Sequence, residues 1–474
     1  MKKKYSVVLK KVLKRIRPTE SERKLLEEFA RKALAVVNSI AKEFRAEAIL
    51  AGSITRDTWL KDKREIDIFV QFPSSFSKEK LERYGLEIGK RSVEKLGGEV
   101  VIKYAQHPYV TGKVGKFTVE IVPCYKMESI TRVKSAVDRT PFHVAYLAKK
   151  FKKRMSDEVR LLKAFMKAQG IYGADVKTSG FSGYLCDLLV VAYGKFINVL
   201  KNAIYWKPGE IIDIEKHWKE EDYPKVRKMF KGEVLIVIDP VDKNRNVAAA
   251  VSATNFFKFK KAAREFLENP SERFFRKVLS RPLKKEKFLR LVEKRRSKII
   301  AVAFKPPKVV PDILWPQLRR FGKRLVSILH AHEFSVHFWD VWSDEDKLAV
   351  LLMELEIWKM PTIDERVGPN VFDIKNSENF LKKYANKAIS GPYIRDDRWC
   401  FEVKREWKLA VEKIVDSLKE DAETLKAKGV PNYIAESISS GFMVLEEKGI
   451  AEMLEKNKDF GRFLRKFFEK ERLI

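Results

Sequence analysis

The chain has 474 residues, of which 45% are apolar and 11% aromatic, a composition typical of folded and not of disordered proteins. This length exceeds one ordinary domain, so about two to four domains are expected. The 97 lysines and arginines outnumber the 65 acidic residues and give a formal charge of +32, which favours a polyanionic partner. Charge of this kind indicates a class of partner and no particular reaction.

The three cysteines, Cys124, Cys186 and Cys400, are widely separated and have neither metal-ligand nor disulfide-framework spacing. We therefore expect free thiols and a cytoplasmic protein. No run of about eighteen apolar residues occurs, so no membrane span is expected. The basic N-terminus is not followed by the apolar core of a signal peptide.

The first third of the chain has the pattern of a small α/β unit. Thr19 and Glu22 form a capping box that predicts a helix over 19–44. The elements predicted after it are a short apolar run over 48–51, a Gly52-Ser53 turn, a strand over 65–72, a helix over 77–96, and strands over 100–104 and 117–122.

The rest of the chain is predicted to be helical first and then mixed. Residues 157–268 have helical periodicity, interrupted by an apolar run over 234–238. Strands over 299–304, 334–342 and 349–357 accompany a helix over 311–332, a β-α-β-β order that suggests a ferredoxin-like module; from about residue 400 the pattern is helical again. We expect an α+β multidomain chain with a mixed-sheet unit over 1–150, a mainly helical unit over 151–270, and an α/β body with a tail over 271–474.

Acidic residues recur on the predicted strands of the first unit. Because strand side chains alternate between faces, Glu65 and Asp67 project on the side opposite Ile66. Glu120 has the same context in the strand over 117–122, between two apolar residues. If the two strands are neighbours, the three carboxylates meet on one face, and such hard oxygen ligands suit Mg²⁺.

A phosphate-binding turn precedes these acids. The backbone N–H groups of Gly52-Ser53 and the Ser53 hydroxyl could hold a triphosphate, with Arg56 one turn further on. Two metal ions on the acids could activate a hydroxyl and steady a leaving pyrophosphate. A single Glu-x-Asp on a strand is most often a solvated face, and a single Gly-Ser is an ordinary turn, but the combination favours nucleotidyl transfer.

The order Gly-Ser, Glu-x-Asp and a distant strand acid resembles the polymerase-beta nucleotidyltransferase superfamily. Longer strings resemble the class I (archaeal) CCA-adding enzymes within it, and beyond these strings the likeness is one of length and general pattern. The strings are His107-Pro108-Tyr109-Val110, Ile121-Val122-Pro123-Cys124-Tyr125, Ala136-Val137-Asp138-Arg139-Thr140-Pro141-Phe142-His143, Glu158-Val159-Arg160-Leu161-Leu162-Lys163, Gly170-Ile171-Tyr172-Gly173-Ala174, Gly180-Phe181-Ser182-Gly183-Tyr184, Asp239-Pro240-Val241-Asp242 and Arg245-Asn246-Val247-Ala248-Ala249.

This resemblance implies a head, neck, body and tail, and template-independent addition of C, C and A to the 3′ end of tRNA from CTP and ATP, together with repair of damaged ends. It implies that the head acids are catalytic and hold Mg²⁺, although the third acid is often Asp in that family and is Glu here. The residues implied are Glu65, Asp67 and Glu120 for the metal, Ser53, Arg56, His143, Lys163 and Tyr172 for ATP or CTP, and Arg245, with the backbone near Asp239, for the base.

Taken without the family, several of these residues have ordinary explanations. His143 could cap a helix, Lys163 could be a solvated helical lysine, and Tyr172 could be a packing aromatic. Arg245 could belong to a helix-capping network.

Partner binding is less sharply indicated. Phosphate clamps for tRNA are expected among basic clusters, with Arg295 and Arg296 suited to phosphate forks; the clusters are Lys258–Lys261, Arg281–Lys287, Lys294–Lys298 and Arg319–Lys323. Trp399 and Phe401 could stack on a terminal base, but core filling is the favoured interpretation. A homodimer is one option for the assembly. The alternatives are a partial CC- or A-adding enzyme, a poly(A) polymerase, and last a non-enzymatic RNA-binding protein.

Overall fold

The structure is a computed structural model that describes residues 2–104, 106–276, 280–470 and 473. The chain divides into two compact units, of which the first comprises 1–278 and 472–474 and the second comprises 279–471.

The first unit begins with a five-stranded mixed sheet. Its elements are α1 (Lys2–Ile16), α2 (Glu20–Ala41), β1 (Glu47–Ala51), β2 (Glu65–Pro73), α3 (Lys78–Lys95), β3 (Glu99–Tyr104), β4 (Pro108–Val114) and β5 (Phe117–Lys126). The strand order is β1-β2-β5-β4-β3, with β2 and β5 parallel and the other pairs antiparallel. The capping box at Thr19 is present, and the predicted mixed sheet with helices is confirmed.

One face of this sheet is covered by α2 and α3, because apolar residues alternate along the strands. Ile66 and Ile68 of β2 and Val119 of β5 are fully buried in that core. Gly85 and Gly89 allow α3 to lie close to the strands, since a Cβ at either position would come within 2.6 Å of Pro123 or Val110 side-chain atoms. The polar residues of the same strands therefore project on the opposite face.

Helices dominate the remainder of the first unit. They are α4 (Thr140–Lys150), α5 (Ser156–Ala168), α6 (Gly183–Tyr193), α7 (Phe196–Ala203), α8 (Tyr223–Met229) and α9 (Ala253–Glu268), with a small sheet of β6 (Glu210–Ile212), β7 (Leu235–Asp239) and β8 (Asp242–Asn246). The predicted apolar run is β7, in which all five residues are buried. Phe165 of α5 is fully buried, with the rings of Phe196 and Phe266 5.6 and 5.8 Å away.

No single helix in the part of the chain that the structure describes is long and apolar enough to cross a membrane. The pair α6 and α7 would satisfy length and composition together, but the two helices are bent by 91° at the break between them.

The second unit is built on a four-stranded antiparallel sheet. Its order is β10-β11-β9-β15, formed by β9 (Lys298–Phe304), β10 (Ser335–Ser343), β11 (Ala349–Ile357) and β15 (Phe442–Leu445). The helices of this unit are α10 (Lys285–Arg295), α11 (Pro311–Ala331), α12 (Ile374–Tyr384), α13 (Ala410–Leu418), α14 (Ala422–Ala427), α15 (Asn432–Ser439), α16 (Glu447–Lys456) and α17 (Lys458–Phe468). Side chains of β9 alternate between two cores, with Ile300 beside α11 and Ile299 beside α10, α16 and α17.

This sheet confirms the predicted β-α-β-β order and completes it. β9, α11, β10 and β11 follow one another as expected, and β15 later adds the strand beside β9 that a ferredoxin-like arrangement requires.

A second sheet in this unit was not predicted. It consists of β12 (Ile363–Asn370), β13 (Ala388–Arg395) and β14 (Arg398–Lys404) in the order β12-β14-β13. Phe401 is buried and its ring lies 5.7 Å from that of Phe380, as core filling predicts. The strands were missed because bulges shift their register and disturb the simple alternation that identifies a strand.

The aromatic cluster of the first unit generates a stability prediction. Phe165→Ala is expected to lower the free energy of unfolding by about 3–5 kcal/mol, since it removes a fully buried ring and leaves a cavity. Urea denaturation measures the change. The matched control is Phe372→Ala, whose ring is 81% exposed and which should change stability by no more than about 0.5 kcal/mol. Equal effects of the two substitutions would contradict this assignment of the core.

Candidate active site

The parallel pairing of β2 with β5 places acidic residues side by side. Asp67 is directly opposite Glu120, and Glu65, two residues before Asp67, projects on the same face. On the other side of β2, Asp67 pairs with Ala51, the last residue of β1, so the turn that starts at Gly52 lies next to it. The neighbouring strands that the sequence required are therefore present.

The two glutamates are ion-paired with lysines. Glu65 Oε1 lies 3.0 Å from Lys63 Nζ, and Glu120 Oε1 lies 3.1 Å from Lys103 Nζ. As these side chains stand, no three acidic, histidine or cysteine side chains within the described residues are gathered to hold a metal ion. Exposed pairs of this kind contribute only about 0–1 kcal/mol, so a divalent cation could draw the glutamates away at little cost.

The pKa of Asp67 reflects its burial and the negative charges on this face. Burial, and after it the charges of Glu120 and Glu65, raises the pKa of Asp67 to about 6. The positive charge of a divalent cation would reverse that shift. The donor chemistry thus fits a hard cation, with Asp67 as the central carboxylate.

The turn beside Asp67 is a short 3₁₀ helix over Gly52–Arg56, as the Gly-Ser pair predicts. Gly52 has a positive φ of 68°, and a Cβ at this position would overlap the Asp67 carboxylate. Only glycine therefore allows the turn containing Ser53 to lie this close to the acid.

Helices α5 and α6 hold the turn from behind. The Ser156 hydroxyl donates to the Arg56 carbonyl at 2.9 Å, and Arg160 donates to the Trp59 carbonyl at 3.1 Å and to the Asp57 carboxylate. The Arg56 guanidinium is bound to the Asp187 carboxylate, with its Nη2 2.7 Å away.

Lys163 and Tyr172 lie together near the start of α6. Lys163 is buried, and its Nζ donates to the Thr58 hydroxyl at 3.0 Å. A Cβ on Gly183 would lie 3.2 Å from the Tyr172 hydroxyl and 3.9 Å from Lys163 Nζ. Burial, and after it nearby anions that include Asp67, raises the pKa of Tyr172. Lys163 is thus not a solvated lysine, and Tyr172 lies near the acidic face.

His143 and Arg245 meet at a different carboxylate. Asp239 Oδ2 accepts from His143 Nε2 at 2.8 Å and from Arg245 Nη1 at 2.6 Å, and Tyr184 donates to Oδ1 at 3.3 Å. Burial by itself would raise the pKa of Asp239, but the hydrogen bond and charge of His143 and the charge of Arg245 outweigh it and hold the pKa below its usual value.

Helix α6 links these two groups of residues. Gly183, its first residue, lies beside Lys163 and Tyr172, and the next residue, Tyr184, stacks on His143 with ring centroids 4.2 Å apart. All residues predicted for the nucleotide are therefore placed around the head acids or around the beginning of α6.

The sequence patterns did not indicate three side chains of this region: Asp187, Tyr184 and the carboxylate of Asp239. Asp187 could have been noticed, because it is the one charged residue in the apolar stretch Leu185–Val190. The other two gave no such signal.

Some residues of the basic clusters form ion pairs with acidic residues of the protein. Arg295 Nε lies 2.6 Å from the buried carboxylate of Glu354, and Lys298 Nζ lies 2.9 Å from Glu447. A groove of about 520 Å³ in the second unit is lined by six cations: Arg281, Lys284, Lys287, Arg290, Lys294 and Arg465. Of these, Lys287 and Arg465 are ion-paired with Glu469.

Three domain families match consecutive parts of the chain. The family described as nucleotidyltransferase domain matches residues 30–143, the second domain of tRNA nucleotidyltransferase matches residues 157–276, and the C-terminal domain of the CCA-adding enzyme matches residues 295–447.

Similar proteins extend over most of the chain. The CCA-adding enzyme of Methanosarcina acetivorans is 38% identical over 96% of this chain and 97% of its own length. The CCA-adding enzyme of Archaeoglobus fulgidus is 39% identical over 85% of this chain and 87% of its own length. Among solved structures, a crystal structure of the Cid1 poly(U) polymerase matches with a TM-score of 0.44 and 17% identity, over 57% of this chain and 98% of that one.

The archaeal relatives are more than 30% identical to this chain, and the matches cover most of this chain and of their own length. The three domain families match this chain in consecutive order. The chain belongs to the CCA-adding enzymes.

Proposed function

We propose that this protein adds C, C and A in turn to the 3′ end of tRNA, using CTP and ATP and releasing pyrophosphate, and that it restores damaged CCA ends in the same way. The observation that carries the proposal is the alignment of Asp67 with Glu120 on parallel strands, directly beside the Gly52 turn. CCA-adding enzymes act on tRNA with nucleotide substrates; CTP and ATP as the specific substrates, end repair, a cytoplasmic location and the option of a homodimer are our proposals.

Nucleotidyltransferases generally use divalent metal ions, and we propose Mg²⁺ for this protein. Glu65, Asp67 and Glu120 would hold it, and when bound it would activate the attacking 3′ hydroxyl and neutralise the leaving pyrophosphate. The protein's own contribution is to hold both substrates in line and to keep the three carboxylates on one face.

The triphosphate would lie over the turn. Ser53 offers its hydroxyl, and Arg56 and Lys163 offer positive charge from a partly enclosed position, where an ionic hydrogen bond is stronger than in water. The Tyr172 hydroxyl, kept protonated by its raised pKa, remains a donor. His143 would contribute from the side of α4.

Base selection would use Arg245. Its guanidinium is fixed by the buried Asp239 and lines a cavity of about 780 Å³ together with Arg139 and Asp242. Donors fixed in this way could bridge acceptors on cytosine and adenine and leave guanine or uracil poorly matched, so that incorrect bases leave polar groups unpaired.

The tRNA would be held through its phosphates by basic surface outside the acidic face. The groove of the second unit suits this role, because Lys287, Arg290 and Lys294 recur at helical spacing on α10 and Arg465 adds a further cation. Binding through phosphates releases counterions, so the affinity for tRNA should fall steeply with salt.

The function is tested with a tRNA transcript that ends at the discriminator base. CTP alone is expected to add two nucleotides, CTP with ATP three, and ATP alone none; gel sizing measures the products. Addition limited to C or to A would indicate a partial enzyme, and long A tails a poly(A) polymerase.

Substitution of Asp67 tests whether the acidic face is needed for nucleotide incorporation and not for tRNA binding. Asp67→Asn should lower nucleotide incorporation by about a thousandfold, because it removes the central carboxylate of the transition-state site. Filter binding should show tRNA affinity within about twofold of wild type, since the basic surface is unchanged. Glu47→Gln, an exposed acid on β1 of the same sheet, is the matched control and should retain full activity. Parallel loss of tRNA binding and incorporation in Asp67→Asn would refute this division of roles.

Two glycine substitutions separate the effect of a Cβ beside Asp67 from the effect of backbone strain at a positive φ. Gly52→Ala is expected to lose nearly all incorporation, because the new Cβ meets the Asp67 carboxylate. Gly97→Ala is the control, since Gly97 has a φ of 77° and nothing within 4 Å of an added Cβ. Both substitutions carry a backbone cost of about 1–2 kcal/mol, measured by thermal unfolding, so only loss of incorporation confined to Gly52→Ala agrees with the proposal.

Arg245 tests base selection. Arg245→Ala is expected to reduce kcat/KM for CTP and ATP by about ten- to a hundredfold and to narrow the margin over GTP and UTP. Arg227→Ala, an exposed arginine on α8, is the control. Unchanged discrimination in Arg245→Ala would show that other groups choose the base.

A further inference from the structure

A carboxylate occupies a core position of α6. Asp187 is fully buried, and its sequence neighbours Cys186 and Leu188 are fully buried in the same apolar core. An ionised carboxylate at such a position is costly unless cations and hydrogen bonds compensate it, so its partners indicate its role.

Both oxygens of Asp187 face cations of the proposed triphosphate site. Oδ2 accepts from Arg56 at two atoms, Nη2 at 2.7 Å and Nε at 3.1 Å. Oδ1 accepts no hydrogen bond and lies 3.7 Å from Lys163 Nζ, which is an ionic contact longer than a hydrogen bond. One carboxylate thus lies between two basic side chains from different elements.

These two cations need a common counterion. Lys163 is buried and Arg56 is nearly so, and two like charges in such surroundings repel each other strongly. Burial lowers the pKa of Lys163, the charge of Asp187 opposes that shift, and the charge of Arg56 adds to it. The charge of Asp187 therefore favours the charged form of Lys163, and its carboxylate is a shared counterion for both cations.

The arrangement also leaves donors for a ligand. Arg56 uses Nε and Nη2 on Asp187 and Nη1 on the Thr55 hydroxyl, and Lys163 donates to the hydroxyl and carbonyl of Thr58. A guanidinium has five N–H groups and an ammonium three, so each cation keeps N–H groups that these partners do not use. Long flexible side chains held in this way lose less conformational entropy on binding.

We propose that Asp187 is a positioning residue for nucleotidyl transfer, whose carboxylate orients Arg56 and Lys163 toward the triphosphate before the nucleotide binds. Asp187 does not touch the substrate and acts through the two cations. The inference rests on the proposed function, because that function gives Arg56 and Lys163 the triphosphate as their ligand.

The test begins with Asp187→Asn, which keeps the shape of the side chain and removes its charge. The KM for CTP in single-nucleotide addition is expected to rise about tenfold, while the KM for tRNA stays within about twofold. A purely structural defect would raise both constants or lower the active fraction. Unchanged KM for CTP, or an equal rise of both constants, would overturn the proposal.

The matched control is Asp364→Asn in the second unit. Asp364 is also buried and also holds two cations, with Arg366 and Arg405 each 2.8 Å away. It should lower the unfolding temperature to a similar degree and leave the KM for CTP unchanged. A similar rise of the KM for CTP in this control would mean that the effect is general destabilisation, which contradicts the proposal.

A mutant cycle decides whether Asp187 acts through Arg56 and Lys163. In the Arg56→Met/Lys163→Met background, which lacks both cations, Asp187→Asn is expected to change the KM for CTP by no more than about twofold. A full additional tenfold rise would overturn the proposal. If Asp187→Asn does not unfold cooperatively, Arg56→Met/Lys163→Met/Asp187→Leu replaces it, since this variant removes both cations together with their counterion and should match Arg56→Met/Lys163→Met.

The experiments distinguish failure of the triphosphate assignment from failure of the positioning role of Asp187. If Arg56→Met and Lys163→Met both leave the KM for CTP unchanged, these cations do not bind the triphosphate, and the inference about Asp187 falls with that assignment. If they raise the KM for CTP and Asp187→Asn does not, the triphosphate assignment stands and only the positioning role is wrong.

Discussion

The parallel contact between β2 and β5 is the constraint on which the rest of the site depends. It sets Asp67 opposite Glu120 and leaves no room to separate their charges, because the apolar residues between the acids are held in the core below. The resulting repulsion, added to burial, raises the pKa of Asp67 to about 6. A sheet that stores such repulsion on one face favours a cation there, and the Gly52 turn is placed next to that face by the antiparallel pairing of β1 with β2.

Two buried carboxylates then organise the basic groups around the acids. Asp187 binds Arg56 and lies close to Lys163, while Asp239 binds His143 and Arg245. Both carboxylates meet helix α6, the first within the helix and the second through Tyr184 at its start. In the proposed triphosphate site, anions of the protein between the cations reduce the repulsion between these cations before a substrate binds. Helix α6 therefore connects the proposed triphosphate site with the proposed base site.

The structure explains why some sequence predictions were reliable. Buried and less buried residues alternate along β2 and over residues 117–122 of β5, so the face of Glu65, Asp67 and Glu120 could be assigned before the pairing was known. The burial of Lys163 was harder to predict, because this residue lies in an amphipathic helical pattern that does not indicate which helix covers it. Its burial follows from packing against α6 and the turn. Similarly, the basic character of Arg295 suggested a phosphate contact, whereas Glu354 on β11, distant in sequence, binds its guanidinium.

The sequence by itself determined the chemical inventory and the local geometry: the two acids on β2 and the one on β5, the glycine turn and the family strings all depend on short-range spacing, which a strand or turn converts directly into position. Only the tertiary structure decided that Asp187 binds Arg56 and that Asp239 binds His143. Contacts between residues about a hundred positions apart depend on how helices pack, and helical periodicity specifies which face is apolar but not which partner covers it.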